Sequence, residues 1–179
     1  MDHSEICRFW FEETKPKQWW AVDDKFDELI RRRFADIHHR AVRCELYPWR
    51  ASPAGRLAEI IVLDQFSRNI YRGRPGAFAC DAQALALAQT AIECGADSTL
   101  NSGEKSFLYM PFMHSESLHI HDVAMRLFAQ PGLEYNYDFE KKHRAIIERF
   151  GRYPHRNEIL GRQSTPEEIE YLKQPGAGF

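Results

Sequence analysis

What this chain has little of narrows its chemistry first. Its four cysteines, at positions 7, 44, 80 and 94, contain no C-x-x-C pair. Cys80 and Cys94 fall on one helical pattern, about 21 Å apart along its axis. A disulfide needs Cα atoms within about 7 Å, so that pair cannot bridge. Buried reduced thiols are expected, in keeping with a cytoplasmic location. No cysteine has an obvious base beside it to make it a nucleophile. Long apolar runs are missing too. The best, "LAEIIVLDQF", is interrupted by Glu59 and Asp64 and is far too short to span a bilayer. The opening "MDHSEICRFWFEE" lacks the basic start and apolar core of a secretion signal. Charge of one sign is not in excess. A net charge of −2 and a pI near 6.4 exclude a general nucleic-acid or anionic-membrane surface, though a local basic site is compatible with them.

Period-two alternation is also absent, so strands are not expected. What remains is helical. Hydrophobic residues at 44% and charged residues at 28% give an ordinary globular balance, and 13% aromatics imply a core built on large rings. The 179 residues suit a single domain over 1–179. "SEICRFWFEE" reads as a first short helix. In "DDKFDELIRRRFADIHHRAV", Phe26, Leu29, Ile30, Phe34 and Ile37 repeat at three- and four-residue steps behind acids that suit a helix N-terminus. Ser52 and Pro53 start the next helix as N-cap and first residue. "CDAQALALAQTAIECG" ends at Gly95, and Pro111 is expected to kink or divide the helical stretch from Ser102 to Phe128. Thr165, Pro166 and Glu168 form a complete start signal for the last helix. The fold class is all-α, with about seven to nine helices in antiparallel hairpins.

Three blocks, "LDQFSRNIYRG" at 63–73, "FLYMPFMHSES" at 107–117 and "RFGRYPHRNEILGR" at 149–162, together with "FWF" near the start and "PGAGF" at the end, are distinctive. On these the chain resembles the bacterial family catalogued as domain of unknown function 924, over nearly its whole length. The resemblance implies a tetratricopeptide-repeat-like stack of helical hairpins. It implies no activity.

The candidate chemistry lies in those blocks. On the helix at 52–70, Asp64 and Arg68 share a face with Leu57, Ile60 and Ile61, while Leu63, Phe66 and Ile70 cover the opposite side. An acid four residues before a base is the favourable order for a helical pair. The plain reading is a buried ion pair that orients the helix, since buried charges usually survive by pairing. The functional reading makes Arg68 and Asn69 ligand contacts, with Asp64 holding the guanidinium for bidentate capture of a carboxylate or phosphate.

In "MPFMHSES", His114, Ser115 and Glu116 could suggest a triad, but sequence neighbours seldom present its geometry and no G-x-S-x-G elbow occurs. A helix start is favoured, with Ser115 as N-cap, Glu116 in the first turn and His114 hydrogen-bonded inside. Two E-x-x-H motifs, Glu116 to His119 and Glu140 to His143, match the spacing of di-iron bundles. On antiparallel neighbours they would lie about 18–20 Å apart, against about 4 Å for a dinuclear site. No metal or cofactor is expected. His121 and His143 read as core histidines.

The segment "RFGRYPHRNEILGR" carries Arg149, Arg152, His155, Arg156 and Arg162 against one acid, Glu158, with Gly151 and Pro154 breaking any continuous helix. One reading is a hydrogen-bonded strap: Arg149 and Arg152 on the carbonyls of the preceding helix, and Arg156, Asn157 and Arg162 on acids such as Asp64 and Glu116. The other is a cationic pocket floor of Arg152, His155 and Arg156 near Arg68. The two can coexist.

Three functions follow in order. The first is a helical module binding a small anionic ligand or peptide in a groove lined by arginine and histidine. The second is an enzyme acting on an anionic metabolite, with His114, Glu116 or His155 as candidate catalytic groups. The third is a scaffold with an internal arginine–carboxylate network. No nucleic acid or membrane partner is expected, and nothing in the spacing sets the oligomeric state.

Overall fold

The computed structural model describes residues 2–178. Among these there is no strand; the chain runs as α-helices α1 (His3–Arg8), α2 (Pro16–Trp19), α3 (Asp24–Val42), α4 (Pro53–Ile61), α5 (Ser67–Ile70), α6 (Asp81–Glu93), α7 (Ser102–Met113), α8 (Leu118–Phe128), α9 (Glu134–Phe150) and α10 (Pro166–Leu172). The starts follow from side-chain caps that occupy backbone N–H groups a helix leaves unpaired. Asp23 accepts from Lys25 and Phe26, and Ser52 accepts from Gly55 with Pro53 behind it. Asn101 with Glu104, and Thr165 with Glu168, form reciprocal capping boxes. Gly151, at φ +68°, ends α9 by donating its N–H to the Ile147 carbonyl.

The helix from 53 to 70 is the centre of the molecule. A π-helical turn, Val62–Phe66, joins α4 to α5 without a break. That wider turn accommodates an extra residue, so the faces after it are rotated relative to an ideal helix. α4 packs on α1, α6 and α7, and α5 packs on α3. Leu57, Ile60, Ile61, Val62, Leu63 and Phe66 are all fully buried. The helix is thus enclosed on every side, which exceeds the two-faced burial its pattern predicts. Around it stand the rings. Phe34 lies 4.8 Å from Phe9 and 4.9 Å from Phe66, and Trp10 lies 5.4 Å from Phe107. Each such pair adds about 0.5–1.5 kcal/mol beyond the area it buries. Gly55 admits the preceding turn, because a Cβ there would sit 2.0 Å from the Trp49 carbonyl oxygen.

Some expectations need correction. Leu29 faces solvent, so the buried stripe of α3 is Phe26, Ile30, Phe34 and Ile37. Pro111 does not divide the stretch. α7 runs through it to Met113, and the division falls at 114–117. α8 therefore begins at Leu118 behind Ser117, leaving Ser115 and Glu116 in the connection. Cys80 is buried, but Cys44 and Cys94 are exposed; all four thiols are free. Among the described residues no helix is long and apolar enough to cross a membrane.

Candidate functional site

At the π turn the central helix carries its charges inward. Asp64 is buried, and its carboxylate meets Arg68 Nη1 at 3.2 Å and His114 Nδ1 at 2.7 Å. Arg68 turns its fork onto Asp81, the first residue of α6, at 2.9 and 3.1 Å. Arg156 reaches the same Asp81 carboxylate from the other side at 3.2 Å and donates to the His114 carbonyl at 3.0 Å. Its guanidinium lies between two rings, 4.6 Å from Phe78 and 4.5 Å from Tyr153. Those faces attract the cation. They also cover its Nε, which is buried without a hydrogen-bond acceptor.

Electrostatics here follow from crowding. Burial by itself would raise the Asp64 pKa, but His114 and Arg68 outweigh it and hold the carboxyl below its ordinary value. Burial, then Arg68, lowers the His114 pKa, so the ring is neutral at pH 7. An ionised carboxylate can only accept, which makes Nδ1 the protonated nitrogen and leaves Nε2 as the basic one. Burial and then the adjacent Arg68 also lower the Arg156 pKa.

These groups form one wall of a cavity of about 450 Å³. Gln65, Arg68, Asn69, His114 and Arg156 line its inner part, and Trp20, Val22 and Tyr135, all largely exposed, line it towards solvent. Arg72, His143 and His155 also face it, whereas no aspartate or glutamate does. The acids stand behind: Asp64 and Asp81 behind Arg68, and Asp27 behind Arg72, with an oxygen 2.8 Å from the latter's Nη2. His155 is kept neutral, its pKa pushed down to about 4 by burial and by Arg156.

Arg149, Arg152 and Glu116 do other work. None lines the cavity. Arg149 pairs with Glu167 at 2.9 Å, and Arg152 grips Glu168 at 2.7 and 2.8 Å, so neither caps α9 as expected. Glu116 receives the Arg162 fork at 2.6 and 2.9 Å and the Tyr153 N–H at 2.8 Å. With its oxygens so occupied, Glu116 anchors the segment. Asn157 donates to Glu168, not to Asp64, and Arg156 chooses Asp81. The strap therefore exists, with Arg162 on Glu116 as expected and Arg156 and Asn157 on other partners, and its inner edge supplies Arg156 and His155 to the cavity. The two E-x-x-H motifs lie closer than the expected separation, because Glu140 sits nearly two turns into α9 and the His121 ring bridges it to the Ser115 carbonyl at 2.8 Å, beside Glu116. Glu140 pairs with buried His121 at 2.6 Å, and His143 Nδ1 lies 2.8 Å from the Phe139 carbonyl of its own helix. Among the described residues no group of three or more histidines, cysteines and acids could hold a metal ion.

Sequence reasoning missed Asp81, Phe78 and the Trp20–Tyr135 rim. Asp81 looked like an ordinary acid in a first helical turn, and Phe78 sits in a short loop without periodicity.

The described chain is thus an all-helical protein with one buried charge cluster opening onto an arginine- and histidine-lined cavity. It belongs to the family described as bacterial protein of unknown function (DUF924), whose model matches residues 6–176. A solved structure, a protein of unknown function, ATU0120, from Agrobacterium tumefaciens, is similar with 38% identity and a TM-score of 0.91, covering 97% of each chain. No curated protein matches.

Proposed function

We propose that the protein is a binding module for a small anionic molecule, held in the cavity by Arg68, Arg156 and Asn69 with His114 beside them. One observation carries the reading: every charged or imidazole side chain on the cavity wall is arginine or histidine, and the acids that balance them stand behind. A face of guanidinium groups suits a carboxylate or phosphate. A cavity of about 450 Å³ is in the range of small-molecule sites. The free thiols and the want of a membrane-crossing helix support a cytoplasmic home for it.

A thermal-shift screen of acetate, inorganic phosphate and larger carboxylates tests this, with Arg156→Gln against Arg152→Ala. The expected result is a stabilising shift lost in Arg156→Gln and kept in Arg152→Ala, which lies off the cavity. A shift that survives Arg156→Gln, or none with any anion, removes the reading.

A second reading, catalysis on the bound anion, is favoured by the His114–Asp64 contact at 2.7 Å, because a carboxylate on Nδ1 orients Nε2 as a base. It predicts turnover abolished by His114→Asn while anion binding persists.

A further inference from the structure

The anion-binding reading leaves open which anions fit, and the charge count narrows them. Two guanidiniums, Arg68 and Arg156, already face two carboxylates, Asp64 and Asp81. Beside them Arg72 and Asp27 make a second balanced pair. With His114 neutral, the buried cluster has no net charge. Spare hydrogen-bond donors nevertheless remain. Arg156 spends one Nη1 hydrogen on Asp81 and one Nη2 hydrogen on the His114 carbonyl, which leaves the second hydrogen of each Nη, the Nε being buried. An incoming monoanion thus finds donors but tips a buried neutral cluster to −1, which is costly in a low dielectric.

A proton offsets that charge, and His114 is the group placed to take it. Facing it are Asp64 and Arg68 from the central helix, Asp81 from α6, His143 from α9, and His155 and Arg156 from the strap. His114 carries the Asp64 carboxylate on its Nδ1 at 2.7 Å, which stabilises an imidazolium. His143 and His155 are held neutral down to about 3 and about 4 by burial. One proton acceptor means one compensated charge, so a monoanion fits better than a dianion.

The cavity's other end is apolar and open. Trp20 is 51%, Tyr135 62% and Val22 77% exposed, so large apolar groups stand in water at the outer rim above the charged floor. A ligand that covers them removes that surface from water. We propose that the site takes a carboxylic acid with an apolar body, bound as its anion together with one proton that settles on His114. The carboxylate lies on Arg156 and Arg68, and the apolar body lies under Trp20, Val22 and Tyr135.

Isothermal titration in buffers of different ionisation enthalpy tests this, with acetate, inorganic phosphate, hexanoate and phenylacetate as probes. Hexanoate or phenylacetate is expected to bind at least about tenfold more tightly than acetate or phosphate. About one proton should be taken up per ligand at pH 7. Trp20→Ala with Tyr135→Ala should erase the advantage over acetate, and both sites are exposed enough to change without unfolding the protein. His114→Asn keeps an N–H towards Asp64 and should bind phenylacetate without proton uptake. Equal affinity for phosphate and phenylacetate overturns the ligand class, and zero proton uptake by the unaltered protein overturns the role of His114, while the anion-binding reading stands in both cases. If none of the four probes binds, that earlier reading fails as well.

Discussion

The body around the central helix and the strap that follows α9 are held by different physics. In the body, Phe9, Trp10, Phe34, Phe66 and Phe107 meet ring to ring with scarcely any exposure. The apolar cluster at the C-terminal end is small: Ile146, Ile147 and Tyr153, with Phe150 and Tyr171 against it. There Arg152, Arg156, Asn157 and Arg162 fasten the chain to Glu168, Asp81 and Glu116. The difference teaches why the segment is so rich in arginine. A stretch broken by Gly151 and Pro154 leaves backbone and side-chain polar groups that apolar packing cannot satisfy, and long planar donors can reach them.

Cutting into the body should therefore cost most. Phe34→Ala removes a ring packed on two others, and a loss of about 3–5 kcal/mol is expected in denaturant unfolding. A loss under about 1 kcal/mol would mean the aromatic core is loosely packed. Arg68→Ala comes next. It strips a partner from buried Asp64 and from Asp81, and breaking a buried pair costs about 3–5 kcal/mol, the lower end applying because His114 still serves Asp64. His155→Ala should stay folded. An unchanged melting temperature for Arg68→Ala would show that the central pair is dispensable.

Acid reaches the histidines before it reaches the carboxylate that anchors the strap. His38 and His143 are buried and His155 is half-buried, and their folded pKa values are pushed down to about 4, about 3 and about 4 from 6.5. For a depressed histidine the unfolded chain binds the extra proton first. Stability is therefore complete above about pH 6.5 and falls as pH drops towards the folded values, by at most about 1.4 kcal/mol per pH unit for each ring. Glu168 in the strap behaves like any carboxylate with a lowered pKa. The Arg152 hydrogen bonds, opposed by burial, hold it at about 2 against 4.5, so its contribution persists through the histidine window and is lost only below about pH 4.5. Urea midpoints between pH 7 and 3 should show the histidine loss first; a flat profile down to pH 5 would contradict it.

Helices were legible in the residues because apolar spacing and caps are local. Ser52, Thr165 and Gly151 all act where the pattern puts them. The Asp64–Arg68 pair was legible for the same reason, being one turn apart. Partner choice across elements was legible for Arg162, which takes Glu116, but not for Arg156. Arg156 could have reached Asp64 or Asp81, and only the placement of α6 against the central helix decides for Asp81. Pro111 misled because enclosing packing overrides propensity: Phe107 through Met113 are all buried, so the helix gains more by continuing than the missing hydrogen bond costs.

The smallest effect is the sharpest probe of the strap. Glu167 and Glu168 are neighbours in the first turn of α10, and they accept from Arg149 at the end of α9 and from Arg152 in the strap. Glu168 is buried and also takes the Thr165 N–H at 2.7 Å and the Asn157 amide at 3.2 Å, whereas Glu167 and Arg149 are both well exposed. Exposed pairs gain little because water and salt screen them. Glu168→Gln should thus lower the melting temperature by about 4 °C, and Glu167→Gln by no more than about 1 °C. Added salt should leave the first difference in place and abolish the second. Equal effects from the two substitutions would mean that general attraction to a basic segment fixes α10, and that the specific hydrogen-bond set on Glu168 does not.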